Sequence, residues 1–187
     1  MRIQVSGMAL LRIRKYPDPV LKRPAQPVTK IDGALHSFIE SMVQTMYAAP
    51  GIGLAAPQVG DSRRIIVIDA DQQNPGRRLL RLINPEVLEL DGKITWEEAC
   101  LSVVDYSAQV QRAARLVVKA LTPDEEEVEI EAEQFLAVVF QHELDHLEGK
   151  LFIDRVSRLK RQLYRRKLQK LIKEGKVENH ASPSAEA

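Results

Sequence analysis

His142-Glu143-Leu144-Asp145-His146 lies in a stretch that is apolar on nearly every side, with Phe135, Leu136, Val138, Val139 and Phe140 before it and Leu144 and Leu147 running through it. That pattern describes a helix without a solvated face, so the rest of the chain has to be built around it. Two histidines and two carboxylates buried without partners would be very costly. In a helix, residues four apart share a face, so both imidazoles can reach one metal ion from the same side. Glu143 is turned by about 100° from His142, badly placed as a ligand but able to take a proton from a water beside the ion. The arrangement implies metal-assisted hydrolysis at a carbonyl. The competing interpretation, two histidines on an ordinary solvated helix, does not suit the apolar surroundings.

The segments around this helix, which the pattern extends over 133–148 with Gly149 as its stop, are mostly extended. Arg64 to Asp69, Leu79 to Ile83, Val87 to Leu90, Leu116 to Leu121 and Val128 to Ile130 are expected strands. Turns at Asn74-Pro75-Gly76, Asp91-Gly92 and Thr122-Pro123-Asp124 suit antiparallel connections. Asp32 is an expected N-cap, and Leu35, Phe38, Ile39, Met42, Val43, Met46 and Tyr47 follow at helical period, up to Pro50-Gly51. Upstream, Pro17, Pro19, Pro24 and Pro27 predict an extended arm on the surface without a helix. After Ser157 as cap, Leu159, Leu163, Leu168, Leu171 and Ile172 are expected to stripe a basic helix that ends near Gly175. Strands first and a buried helix afterwards predict an α+β fold: antiparallel β-sheets around the helix carrying HExxH, an N-terminal amphipathic helix and a C-terminal basic helix.

At 187 residues the chain suits one core. The expected organisation is a catalytic domain over 8–157, the basic helix over 158–176 and a disordered tail over 177–187, with Met1 to Gly7 as an upstream extension. No apolar run approaches the roughly 20 residues of a membrane span, and the single cysteine fits a reducing compartment, so a cytoplasmic protein is expected, with no membrane partner. The net charge of +1 conceals an asymmetry: residues 155–176 hold ten Lys or Arg and one acid, about +9, against about −8 elsewhere.

Two histidines leave a metal site incomplete. A metzincin would place a third histidine where this chain has Phe152, and a thermolysin-like glutamate would have to be Glu174 in the basic tail. Cys100 is the remaining soft donor. From spacing alone, a free cysteine in the core is an equally good interpretation.

Three segments together resemble peptide deformylase: Gly51-Ile52-Gly53-Leu54-Ala55-Ala56-Pro57-Gln58, Glu98-Ala99-Cys100-Leu101-Ser102, and His142 to His146, within a similarity that spans roughly 11–157. The second segment has Ala99 where the family has glycine. The resemblance implies removal of the formyl group from the N-terminal methionine of nascent chains by an Fe²⁺-type centre that also accepts Zn²⁺, Ni²⁺ or Co²⁺. It implies Cys100, His142 and His146 as ligands, Glu143 as general base and acid, and Gln58 with the Leu101 backbone N–H as oxyanion donors. A thiolate ligand adds negative charge to the metal, and a neutral amide donor suits a growing alkoxide. Gly51 and Gly53 are then part of a strand lying beside the substrate peptide, although turn residues are the commoner use of Gly-x-Gly. Ile52, Trp96, Phe135, Val138 and Val139 are the expected methionine pocket, with Glu98 and Ala99 beside the peptide track. Core packing would account equally well for each pocket residue taken singly. The resemblance also implies that the C-terminal helix docks on the ribosome near the tunnel exit; no DNA partner is expected. An HExxH zinc peptidase with another third ligand, or a ribosome- or RNA-binding module with a decayed centre, are the alternatives.

Overall fold

A computed structural model describes residues 10–71 and 73–178, in which α1 (Gly33–Ala48), β1 (Gly53–Ala55), β2 (Ile65–Ile68), β3 (Leu80–Asp91), β4 (Ile94–Cys100), β5 (Val103–Arg112), β6 (Arg115–Leu121), β7 (Glu127–Glu133), α2 (Gln134–Leu147) and α3 (Arg158–Lys173) follow in chain order. Five strands form one antiparallel sheet in the order β1-β2-β3-β6-β7, while β4 and β5 form a separate antiparallel hairpin. The fold is α+β, with antiparallel sheets and three α-helices among the described residues.

β2 reads Ile-Ile-Val-Ile, and all four side chains are buried because both faces of the sheet are covered. Alternation sends Ile66 and Ile68 to one side, where Ala137, Phe140, Leu144 and Leu147 of α2 pack. Ile65 and Val67 face the other side and meet Leu35, Ile39, Met42, Val43 and Met46 of α1. A third cluster lies beyond the hairpin: Val103, Ala108 and Val110 of β5 pack with Leu21, Leu151, Phe152, Ile153, and Tyr164 and Leu168 of α3. The helix ends follow their sequence signals. Asp32 accepts from the Leu35 N–H, Ser157 accepts from the Lys160 N–H, and Gly149, at φ +66°, takes the left-handed conformation just after α2.

The structure departs from expectation at five points. The proline arm is neither helix-free nor purely on the surface: Pro19–Lys22 forms a 3₁₀ turn capped by Asp18, and Tyr16, Leu21 and Ala25 are buried. Proline at the first position of a turn lacks only an N–H that would be unpaired anyway. The two strands expected on either side of Asn84-Pro85 are one strand, β3, whose register against β6 shifts there. Asn84 adopts φ +51° and its amide both donates to and accepts from the Val28 backbone, which absorbs the irregularity. The β4–β5 hairpin was not expected, because Glu98 and Arg112 put charges at buried positions where its alternation calls for apolar residues. On α3 the buried stripe begins at Tyr164 and continues through Leu168, whereas Leu159 and Leu163 are exposed. The Tyr164 ring stacks on Tyr106 at 4.6 Å and so fixes which face turns inward. Of the tail expected to be disordered, Val177 packs partly buried on the third cluster and Glu178 pairs with Arg12; residues 179–187 and Met1 to Gly7 lie outside the described residues.

Candidate active site

α2 carries His142 and His146 one turn apart, and β4 delivers Cys100 to them at its last position, just before the Leu101-Ser102 turn. One donor atom from each of the three lies within 4.8 Å of the others, and Cys100 Sγ is 3.3 Å from His146 Nε2. Sulfur and nitrogen donors of one tetrahedral ion stand roughly 3.5 Å apart, so this set fits a single divalent metal. Burial and the neighbouring His142 hold the His146 ring well below its usual pKa, in the neutral form that ligates.

The second ring is oriented by a buried ion network. His142 Nδ1 lies 2.7 Å from Glu98 Oε2, which leaves Nε2 for an ion. Arg112 grips the same carboxylate through Nε at 2.6 Å and Nη2 at 2.9 Å, and gives Nη1 to Asp145 at 2.6 Å. Arg155 closes on Asp145 from the solvent side. Burial alone would raise the pKa of Glu98, but Arg112 and His142 outweigh it and pull it down. Arg155 and Arg112 do the same for Asp145.

Glu143 is buried, and its Oε2 has no hydrogen-bond partner among the described residues. Burial pushes its pKa up to about 7. Gly53 of β1 lies directly against it: a Cβ on Gly53 would stand 2.3 Å from Oε1. The Gly-x-Gly segment therefore has a use that neither sequence interpretation contained, which is to leave room for a carboxylate. Gln58, 1% exposed, has a fixed amide: Oε1 accepts the Ala55 N–H at 2.8 Å, while Nε2 is 3.6 Å from Cys100 Sγ and 3.2 Å from Ser102 Oγ. Its donor side thus faces the cluster.

These groups open into a cavity of about 390 Å³. Every residue expected at the site lines it except His146, which is buried beneath at 1% exposure. Ile52, Trp96, Phe135, Val138 and Val139 provide its apolar wall, with Trp96 and Phe135 ring to ring at 5.3 Å. Ala99 is exposed at the rim. Glu98, expected among the substrate-contacting residues, lines the cavity with its carboxylate already committed to Arg112 and His142, which gives it an orienting position instead. Sequence reasoning missed Arg112 altogether. A signal was present: it falls in phase with Ala108 and Val110 on the buried face of β5, where a lone charge must have partners.

The polypeptide deformylase family profile matches residues 10–162. A peptide deformylase of Syntrophobacter fumaroxidans is 50% identical over 167 residues, covering 89% of this chain and 98% of that one. One from Halothermothrix orenii is 53% identical, over 81% of this chain and 97% of that one. Among solved structures, the crystal structure of a Legionella pneumophila peptide deformylase superposes with a TM-score of 0.84 at 41% identity, covering 91% of this chain and all of that one. A Synechococcus elongatus peptide deformylase in complex with actinonin gives 0.80 at 37% identity, over 92% of each chain.

Proposed function

This chain belongs to the polypeptide deformylase family, metal-dependent hydrolases that remove the N-formyl group from nascent polypeptides, and from that premise we propose a role for each residue of the site. The observation that carries the assignment is the Cys100, His142 and His146 donor set beneath a cavity into which Glu143 projects. We assign those three as the ligands, of Fe²⁺ in the native protein and of Zn²⁺, Ni²⁺ or Co²⁺ as substitutes. Bound there, a divalent ion acidifies water and polarises the formyl carbonyl.

Glu143 takes the proton of the attacking water and returns it to the amine nitrogen as the C–N bond breaks, releasing formate. A pKa near 7 suits both halves of that transfer. Gln58 Nε2 and the Leu101 backbone N–H donate to the oxyanion. Glu98, Arg112 and Asp145 hold His142 in the ligating tautomer. β1 is an edge strand, so its backbone is free on one side to pair with a substrate peptide at Gly51 to Gly53, while Ala99 flanks the other side of the track. The methionine side chain enters the apolar wall at Ile52, Trp96, Phe135, Val138 and Val139. Glu143→Ala tests the central role: formate release should fall by at least about 10²–10⁴-fold with metal stoichiometry unchanged, and near-normal turnover would refute it.

We assign residues 8–157 to the catalytic domain of a cytoplasmic enzyme and 158–176 to a ribosome-docking helix near the tunnel exit. Supporting the latter, Arg158, Lys160, Arg165, Arg166 and Lys173 have no carboxylate partner among the described residues, and Arg158, Arg161 and Arg165 line one shallow depression. Unpaired cations concentrated on one helix suit a phosphate-rich surface.

A further inference from the structure

Three consecutive residues of the N-terminal arm bind both halves of the catalytic apparatus. The Arg14 N–H donates to the Gln58 carbonyl at 2.7 Å, and the Tyr16 N–H donates to the Ser102 carbonyl, also at 2.7 Å. Between them, Lys15 turns inward, and its Nζ donates to the Leu101 carbonyl. Lys15 is half-buried, no carboxylate is paired with it among the described residues, and its charge lies close enough to Cys100 for the two to interact. A half-buried ammonium directed at a single backbone carbonyl calls for an explanation, because desolvating it is costly and a solvent-facing lysine would stitch the arm down no worse.

The bonding pattern supplies one. The carbonyl that accepts from Lys15 belongs to the Leu101–Ser102 peptide unit, and the N–H of that same unit points at Cys100 Sγ, with nitrogen and sulfur 3.4 Å apart. A cation on the oxygen of an amide draws electron density from its nitrogen and strengthens the N–H as a donor. We propose that Lys15 is a positioning residue for the reaction: by holding and polarising the Leu101–Ser102 peptide it strengthens the hydrogen bond to the Cys100 sulfur, and with the Arg14 and Tyr16 anchors it sets the spacing between Gln58 and the Leu101 turn. The effect is transmitted through one peptide plane, so it depends on the cation and not on the bulk of the side chain. The proposal rests on the assignment of Cys100 as a ligand.

The test uses the full chain loaded with Co²⁺, whose thiolate-to-metal charge-transfer band reports the energy of the sulfur lone pair. Lys15→Met keeps the stem and removes the cation; Lys15→Arg keeps the cation. In Lys15→Met the band should move to lower energy at unchanged cobalt stoichiometry, and kcat should fall about tenfold with KM nearly constant, the usual scale for an orienting contact around a metal. Lys15→Arg should restore both band and kcat. A band that does not move, or an equal loss in Lys15→Arg and Lys15→Met, would overturn the proposal and leave Lys15 a packing contact. A parent chain with no thiolate band would overturn the ligand assignment, and the proposal with it. Thermal midpoints of both variants separate these outcomes from misfolding, since a folded Lys15→Met with an unshifted band counts against the inference whatever its activity.

Discussion

Gly53→Ala is a one-methyl probe of how closely the fold is built around Glu143. Gly53 does not adopt a positive φ, so alanine meets no backbone strain there. What it meets is the Glu143 side chain, at 2.3 Å from Oε1, 2.8 Å from Cδ and 3.0 Å from Cγ. Ordinary contact requires Oε1 to retreat by roughly 1 Å, and a misplacement of that size at a reacting group costs about 10²-fold in rate. Overpacking should cost about 1–3 kcal/mol, a fall in Tm of roughly 2–12 °C for a domain of this size. The assay is formate release from formyl-Met peptides, with metal content and Tm measured on the same preparations. The expected result is a fall in kcat at full metal occupancy. Gly51→Ala is the comparison: its new methyl would meet chiefly Leu101 Cδ1 at 2.9 Å and no atom of Glu143, so its effect should fall on peptide binding, read as KM, and not on the position of the carboxylate. A Gly53→Ala protein whose kcat stays within about threefold of the parent would refute the claim that this contact positions the carboxylate.

Ala99→Gly should alter KM more than kcat, because the methyl is at the cavity rim and away from the donor set; a large kcat change at constant KM would place Ala99 in control of Cys100 instead. Replacing Arg158, Arg165 and Arg166 by Gln should weaken ribosome binding and flatten its salt dependence while formate release from short peptides persists; unaltered, salt-insensitive binding would remove α3 from the interface. These substitutions are a cleaner test than deleting α3, which would also uncover the Tyr106 and Phe152 rings beneath Tyr164. For the metal-free protein, stability should change with pH in two opposite directions. Glu143 has a raised folded pKa of about 7, so protonation favours the fold and stability should rise as pH falls through that value. Glu98 and Asp145 have depressed values, so their contribution is full above the ordinary carboxylate range and is lost as pH falls through their folded values. His146, whose folded value is depressed, opposes Glu143 in the same window, so the Glu143 share is read as the difference in urea midpoint between the parent and Glu143→Gln; a difference that does not grow as pH falls below about 7 would contradict the first half.

Much of this arrangement is legible in the chain itself. The motif helix, the α1 stripe and both caps are local signals and need no knowledge of the fold. β2 reads as a continuous apolar run, which is what coverage on both faces requires. The hairpin that holds Cys100 is harder to see, since buried Glu98 and Arg112 interrupt its apolar face and its strands find their partner only in each other. Arg112 and Lys15 show the deeper limit. Lys15 is unremarkable in sequence, and the phase of Arg112 says only that it needs partners; each takes its meaning from atoms contributed by distant segments, Glu98 and Asp145 for Arg112 and the Leu101 carbonyl for Lys15. The stripe on α3 misled for the same reason: apolar residues occupy more than one face, and only the Tyr106 ring decides which is buried.

The five-stranded sheet ends in β1 on one side and β7 on the other, and the two margins differ in what they permit. β7 alternates Glu127, Glu129, Glu131 and Glu133 with apolar residues, and all four acids are exposed. Glu127 and Glu131 are paired with Lys119 and Arg115 of β6, while Glu129 and Glu133 have no ion pair among the described residues, so a second copy approaching along that margin would bring these two carboxylates against their own image and self-association through β7 is disfavoured. β1, written Gly-Leu-Ala, carries no charge at all. If β1 pairs with the substrate as proposed, extended chains of varied sequence would add there, while the acidic margin at the far end of the same sheet discourages the fibre growth that an unguarded edge invites.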